Sequence, residues 1–311
     1  MKYFLKKVIL FSIKPLILII ILLSLASWVH KYAPSKMYYY SEFNKAFNQR
    51  DLELIALGNS KLLASIHKKT LEESLGLKSA ILGYSSSNIS ISKLTLESYL
   101  NKCLIKPKLV LLEVSWFTFN KERTHFHHIS GDLFLKDFKL WVNYLNYYPE
   151  INSKIGKSIT SALKNTIKIE QKDINYNKKF LEKTPHSKEY SFKKEKLEVI
   201  FPNHIAGIND SLLKDFESIV KMCLNNNINL ILYSAPEDEE YSKMQKDIKK
   251  VKQIFTKASF NNPTVSFLDY TLGGGLWDKK HEMWLRNSHH INENDLFTKT
   301  LSKDIKSQLY Q

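Results

Sequence analysis

The stretch Asp51-Leu-Glu-Leu-Ile-Ala-Leu-Gly58-Asn59-Ser60 decides the fold. Apolar residues alternate, run together from Leu54 to Leu57, and stop at Gly58. That pattern reads as a buried strand closed by a tight turn. The segment from Ser60 to Ser74 then reads as a helix. Working outward, the same alternation recurs. A strand is expected over Lys78–Leu82, ending at Gly83, and a helix over Ser92–Leu104. Pro107 opens the continuous apolar run Lys108–Val114, as in a central parallel strand. A helix over Asp210–Leu224 is stopped by Asn225, Asn226 and Asn227. Strand Ile228–Tyr233, helix Tyr241–Ala258, strand Val265–Asp269 and helix Glu293–Leu309 complete the pattern. Strands alternating with helices at this spacing predict an α/β fold whose parallel sheet is covered on both faces. Residues from about 125 to 205 break the rhythm and read as an insertion with helices that shapes a cleft.

The chain has 311 residues, 43% of them hydrophobic, which supplies a core for one α/β domain over 51–311. The formal charge is +15, from 46 Lys and Arg against 31 Asp and Glu. Short runs such as Lys193, Lys194 and Lys196 are scattered, and no basic helix with interleaved aromatics occurs. Nucleic acid is therefore not an expected partner. The lysines read as solvated faces, or as a surface suited to an anionic envelope. Cys103 and Cys223 lack any CxxC spacing and sit in apolar helical patterns, so both are expected as buried free thiols.

Residues 1–30 form a unit of their own. Lys2, Lys6, Lys7 and Lys14 flank or interrupt an apolar stretch from Val8 to Val29. A membrane-spanning helix needs about 20 such residues. The basic flank predicts an N-terminus inside and a C-terminal domain outside the cytoplasm. A cleaved signal peptide is the competing reading, but no clear small-x-small site precedes a polar start. The expectation is a single-pass anchor in the cytoplasmic membrane, followed by a linker over residues 31–50 that holds Tyr38, Tyr39 and Tyr40.

In open α/β sheets, ligands bind beyond the carboxyl ends of the strands. The residues to inspect are thus Gly58-Asn59-Ser60, Gly83-Tyr84-Ser85, Ser115-Trp116 and Ser234-Ala235-Pro236, with Asn287-Ser288-His289-His290 before the last helix. A serine at a strand-to-helix turn is placed to be a nucleophile whose own N–H faces a developing oxyanion. It is equally placed to be a simple helix cap. A serine needs a base, most often histidine, and the loop with His289 and His290 can reach the first strand's turn. His125, His127 and His128 lack a fourth ligand at standard spacing, so no metal is expected. Gly273-Gly274-Gly275 lacks the Lys-Ser/Thr of a phosphate loop and reads as a flexible turn or lid. No cofactor is expected. Gly207-Ile208-Asn209-Asp210 precedes an apolar-periodic helix and reads as its N-cap.

Two blocks carry a family resemblance. Leu57-Gly58-Asn59-Ser60 resembles the first block of SGNH (GDSL-like) hydrolases, usually Gly-Asp-Ser. Asn287-Ser288-His289-His290-Ile291-Asn292 resembles their last block, Asp-x-x-His. Lys108 to Phe117 resembles a strand of the membrane-anchored subset that acts on envelope polymers, such as the D-alanyl-lipoteichoic acid and alginate acetylation proteins. The resemblance covers short blocks between about Asp51 and Leu309.

The resemblance implies a three-layer α/β/α, flavodoxin-like fold behind the anchor. It implies Ser60 as nucleophile, His290 as base, and an oxyanion hole from Ser60, Gly83 and Ser115. Asn287 stands where the family has Asp, so the imidazolium would lose its charged partner. Asp295 or Asp269 is a candidate to help. The implied activity is that of an extracytoplasmic serine esterase or acyltransferase on an envelope polysaccharide. Its partners would be the bilayer, the polymer and a multi-pass membrane acyltransferase. Trp116 and Trp284 are candidates to line a sugar cleft. The alternative implied by Asn287 is a catalytically degenerate binding or assembly module.

Overall fold

The structure is a computed structural model. It describes residues 46, 48–83, 87–116, 118–119, 208–237, 247–271, 285–287, 290–291 and 294–309, with five isolated positions between 13 and 24. Most of the expected anchor and linker and the whole of the expected insertion, together with His125, Gly273 and Trp284, lie outside the described residues. By compactness the chain divides into two units, and the one formed by 42–124 and 178–311 holds every element below.

Five strands form the sheet: β1 (Leu54–Gly58), β2 (Ser79–Gly83), β3 (Leu109–Glu113), β4 (Asn229–Ser234) and β5 (Val265–Asp269). All neighbours pair in parallel, in the order β2-β1-β3-β4-β5. β1, β2 and β3 are buried at every residue, because helices cover the sheet, whereas edge strand β5 is only partly buried. The chain leaves β1 in one direction for β2 and in the other for β3 and its successors. The β1/β3 gap is therefore the topological switch point.

Six helices complete the described fold: α1 (Ser60–Ser65), α2 (Lys68–Leu75), α3 (Ile89–Leu100), α4 (Asp210–Asn225), α5 (Ile248–Asn261) and α6 (Asn294–Leu309). α3 packs on α4, while α6 packs on α1 and α2. Right-handed crossovers put these two groups on opposite faces. On the first face Phe119, Phe216 and Phe255 stack within 5.8 Å of one another. On the second, Tyr233 and Tyr270 flank Phe297 of α6.

Several expectations are corrected. The single helix expected over Ser60–Ser74 is two. Ile66 is extended, and the His67 N–H leaves the helix for Thr298 Oγ1 of α6 at 2.9 Å. α2 then ends at Gly76, whose φ of +68° suits glycine and whose N–H meets Glu72 O at 2.8 Å. α3 starts earlier than expected because Asn88 caps it by accepting from the Ser90 N–H, and it ends earlier too, with Asn101 as its C-cap. Cys103 therefore falls in the turn after α3, half-buried rather than buried. Cys223 is buried, and burial pushes its thiol up to about 12. The Asn209 side chain accepts from the Ser211 and Leu212 N–H groups, which is the expected N-cap of α4. Finally, the segment before α6 is not plain loop. β6 (Leu285–Asn287) and β7 (His290–Ile291) pair antiparallel, with Asn287 opposite His290.

Candidate functional site

The turn after β1 is built by close approach. A Cβ on Gly58 would lie 2.8 Å from the Cβ atoms of both Glu113 and Leu62, so only glycine lets β1, β3 and α1 converge. Asn59 follows in extended conformation, and its Oδ1 accepts the Lys61 N–H at 2.8 Å. The capping role thus belongs to Asn59. Ser60 is the first helical residue, half-buried, at the carboxyl end of β1. The first N–H groups of a helix have no acceptor within it.

Gly83 ends β2 directly beside Gly58 in register. A Cβ there would meet Leu62 and Leu63 at 3.1 Å, so this backbone also lies tight against α1. β7, which carries His290, packs on α1, which starts with Ser60. The structure therefore brings Gly58, Ser60, Gly83 and the backbone of His290 around one helix. Asn287 joins them through its register pairing with His290.

Ser115 behaves differently. Its N–H donates to Thr118 Oγ1 at 2.8 Å, and its hydroxyl is buried without a hydrogen bond among the described residues. The two carboxylates proposed to help the base are also committed. Asp269 accepts from Thr271 and pairs with Lys252 at 2.7 Å. Asp295 accepts from Thr70 and pairs with Lys299 at 2.8 Å, and these contacts hold its carboxyl below the usual range.

A small polar recess opens at the switch point, lined by Gly58, Asn59, Ser87, Asn88, Glu113 and Thr118 among others. Beneath it lies a charged cluster that the sequence does not announce. Lys61, next to Ser60, is wholly buried. Its Nζ lies 2.6 Å from Glu237 Oε1, 3.5 Å from Ala235 O and 3.9 Å from Glu113 Oε1. The Trp116 indole N–H donates to Glu237 Oε2 at 3.1 Å, so both Glu237 oxygens are tied. Neither Glu113 oxygen has a hydrogen bond among the described residues. Burial pushes the Glu113 carboxyl up to about 7; the Lys61 ammonium opposes this and Glu237 adds to it. The Asn59 amides lie near enough to favour the charged form without reaching hydrogen-bond geometry.

Lys61 and Glu237 were missed because each reads as solvated in sequence, Lys61 at a helix start and Glu237 in an acidic run. The available signal was position, since Glu237 directly follows the strand end Ser234-Ala235-Pro236. The half-buried Trp116, a candidate to line a sugar cleft, donates its indole N–H to this cluster.

No family model matches the chain, and no curated protein matches it. Solved structures do match. One, described as a platelet activating factor from Streptococcus pneumonia, is 11% identical, with a TM-score of 0.44 over 86% of this chain and 91% of that one. Likeness at that level says nothing of activity or substrate.

Proposed function

We propose that the chain is an SGNH-type serine esterase or acyltransferase. The observation that carries the reading is the packing of β7, with His290, on α1, which begins with Ser60 beside the β1/β3 switch point. Ser60 Oγ attacks the carbonyl carbon of an ester while His290 takes its proton. The oxyanion is held by the N–H groups of Ser60 and Gly83. The tetrahedral centre collapses, the C–O bond to the alcohol breaks, and the alcohol leaves with the proton from His290. Water or a second hydroxyl then attacks acyl-Ser60 and gives its proton to His290; the acyl–Oγ bond breaks, His290 returns the proton to Ser60 Oγ, and the acid or new ester leaves. The apolar N-terminus and the block resemblance favour an envelope polysaccharide as substrate and a membrane-anchored, extracytoplasmic enzyme. They also favour a multi-pass membrane acyltransferase as donor of the acyl group.

Asn287 sets the expected rate. Without a charged partner for the imidazolium, turnover is slow. The test is hydrolysis of nitrophenyl acetate by the full chain. Wild type should be slow, and Ser60→Ala and His290→Ala inactive. Asn287→Asp should be faster, by as much as about 10⁴-fold, the size of the Asp-to-Asn penalty in serine proteases. Equal, background-level rates in wild type and Asn287→Asp would overturn the enzyme reading. The domain would then stand as a non-catalytic binding module for envelope polymer modification, the reading that Asn287 itself favours.

A further inference from the structure

The reading above does not use the cluster beneath the site. Lys61 shares a peptide bond with Ser60, and its ammonium is anchored on Glu237, beyond β4. The first turn of α1 is thereby tied across the sheet through a side chain with no contact to solvent. Among the described residues the cluster holds one cation and two carboxylates. With both carboxylates ionised it carries a net charge in a dry site, which is costly. With Glu113 protonated, Lys61 and Glu237 balance. The geometry matches this asymmetry: Glu237 is fully hydrogen-bonded, while Glu113 has only a 3.9 Å ion pair.

We propose that Glu113, acting through Lys61, is a positioning residue for Ser60 and sets the first turn of α1 differently in its protonated and ionised forms. This rests on the reading of Ser60 as nucleophile. When Glu113 is protonated, the Lys61 ammonium keeps its contacts with Glu237 and the Ala235 carbonyl. When it is ionised, a second carboxylate pulls on the same ammonium, and in a buried site that pull is strong. The groups facing Glu113 among the described residues are few. Lys61 comes from α1, the Asn59 amides from the turn after β1, and Glu237 and Tyr233 from β4 and the segment beyond it. Glu113 sits opposite Tyr233 in register, and the Tyr233 and Ser65 hydroxyls share a hydrogen bond at 2.8 Å. Burial holds the Tyr233 hydroxyl well above its ordinary range, so it stays neutral. The Glu113 carboxyl, pushed up to about 7 by burial, changes charge near neutral pH.

The experiment follows the Ser60 amide resonance in the full chain labelled with ¹⁵N-serine, from pH 5 to 9, with Ser60→Ala as the assignment control. The expected result is an inflection near pH 7 in wild type that is lost in Glu113→Gln and returns, shifted, in Glu113→Asp. No inflection in wild type overturns the proposal without any variant. The same inflection in Glu113→Gln also overturns it and assigns the titration to another group. Fluorophosphonate labelling of the same samples separates the two readings. Labelling without the inflection removes the positioning role and leaves the nucleophile. The inflection without labelling leaves the coupling and removes the nucleophile.

Discussion

α1 and the turn after it hold two charged clusters built from similar residues in opposite surroundings. At its start, Lys61, Glu237 and Glu113 are sealed from solvent. Beyond its end, His67, Asp295 and Lys299 are half-exposed or more, with His67 Nδ1 3.6 Å from Asp295 and Lys299 2.8 Å from it. Charge pairs in water are screened and cheap to lose. Pairs in a dry site are costly to break from one side, because the remaining partner is stranded. The comparison predicts that changes at the first cluster will be felt in stability, pH response and chemistry, and that those at the second will be nearly silent.

The largest expected effect is that of Lys61→Met. It removes the buried ammonium between Glu237 and Glu113 and should destabilise by about 3–5 kcal/mol, read by urea denaturation. Adding Glu237→Gln should recover part of that loss; failure to recover any would mean the two sites act independently. Next comes Glu113→Gln. The folded carboxyl sits at about 7 against an ordinary 4.5. Between these values the native state binds a proton that the unfolded state has released, so stability falls as pH rises through that window. The penalty is fully present above about pH 7 and absent below about 4.5, and amounts to about 3 kcal/mol. Glu113→Gln should therefore gain relative stability at pH 8 and not at pH 4, as measured by melting at both. An equal effect at the two pH values would contradict the burial assigned to Glu113.

Gly58→Ala tests the crowding that brings Glu113 under the turn. Its Cβ has no room against Glu113 and Leu62, and overpacking of this kind costs about 1–3 kcal/mol. Loss of ester hydrolysis should exceed what that destabilisation explains, because Ser60 lies two residues on. Smallest of all is Asp295→Asn at the exposed cluster. It should change stability by no more than about 1 kcal/mol, and less at high salt. A larger loss would erase the contrast on which the comparison rests.

The division between legible and hidden features follows the range of the interactions. β1 and its turn could be read because strand, glycine and cap lie within one short segment. β5 and the Asn209 cap were legible for the same reason. The break between α1 and α2 could not be read, because the His67 N–H is claimed by Thr298, 231 residues away. The Lys61–Glu237 pair spans 176 residues, and nothing local tells a buried lysine from a surface one. The β6/β7 hairpin was read as loop because its strands are three and two residues long, too short for a period of two to show. Ser60, Gly83, Asn287 and His290 are candidates by their place at strand ends and in the last block, and the fold gathers their backbones near α1. Ser115 is a candidate by place too, and its buried hydroxyl has no hydrogen bond among the described residues.

The most direct test of the central claim is covalent. The full chain is treated with a fluorophosphonate probe, digested, and the adduct is located by mass spectrometry. The account predicts a single adduct on Ser60 that is absent in His290→Ala and forms faster in Asn287→Asp. An adduct on another serine, or none in either wild type or Asn287→Asp, would contradict it.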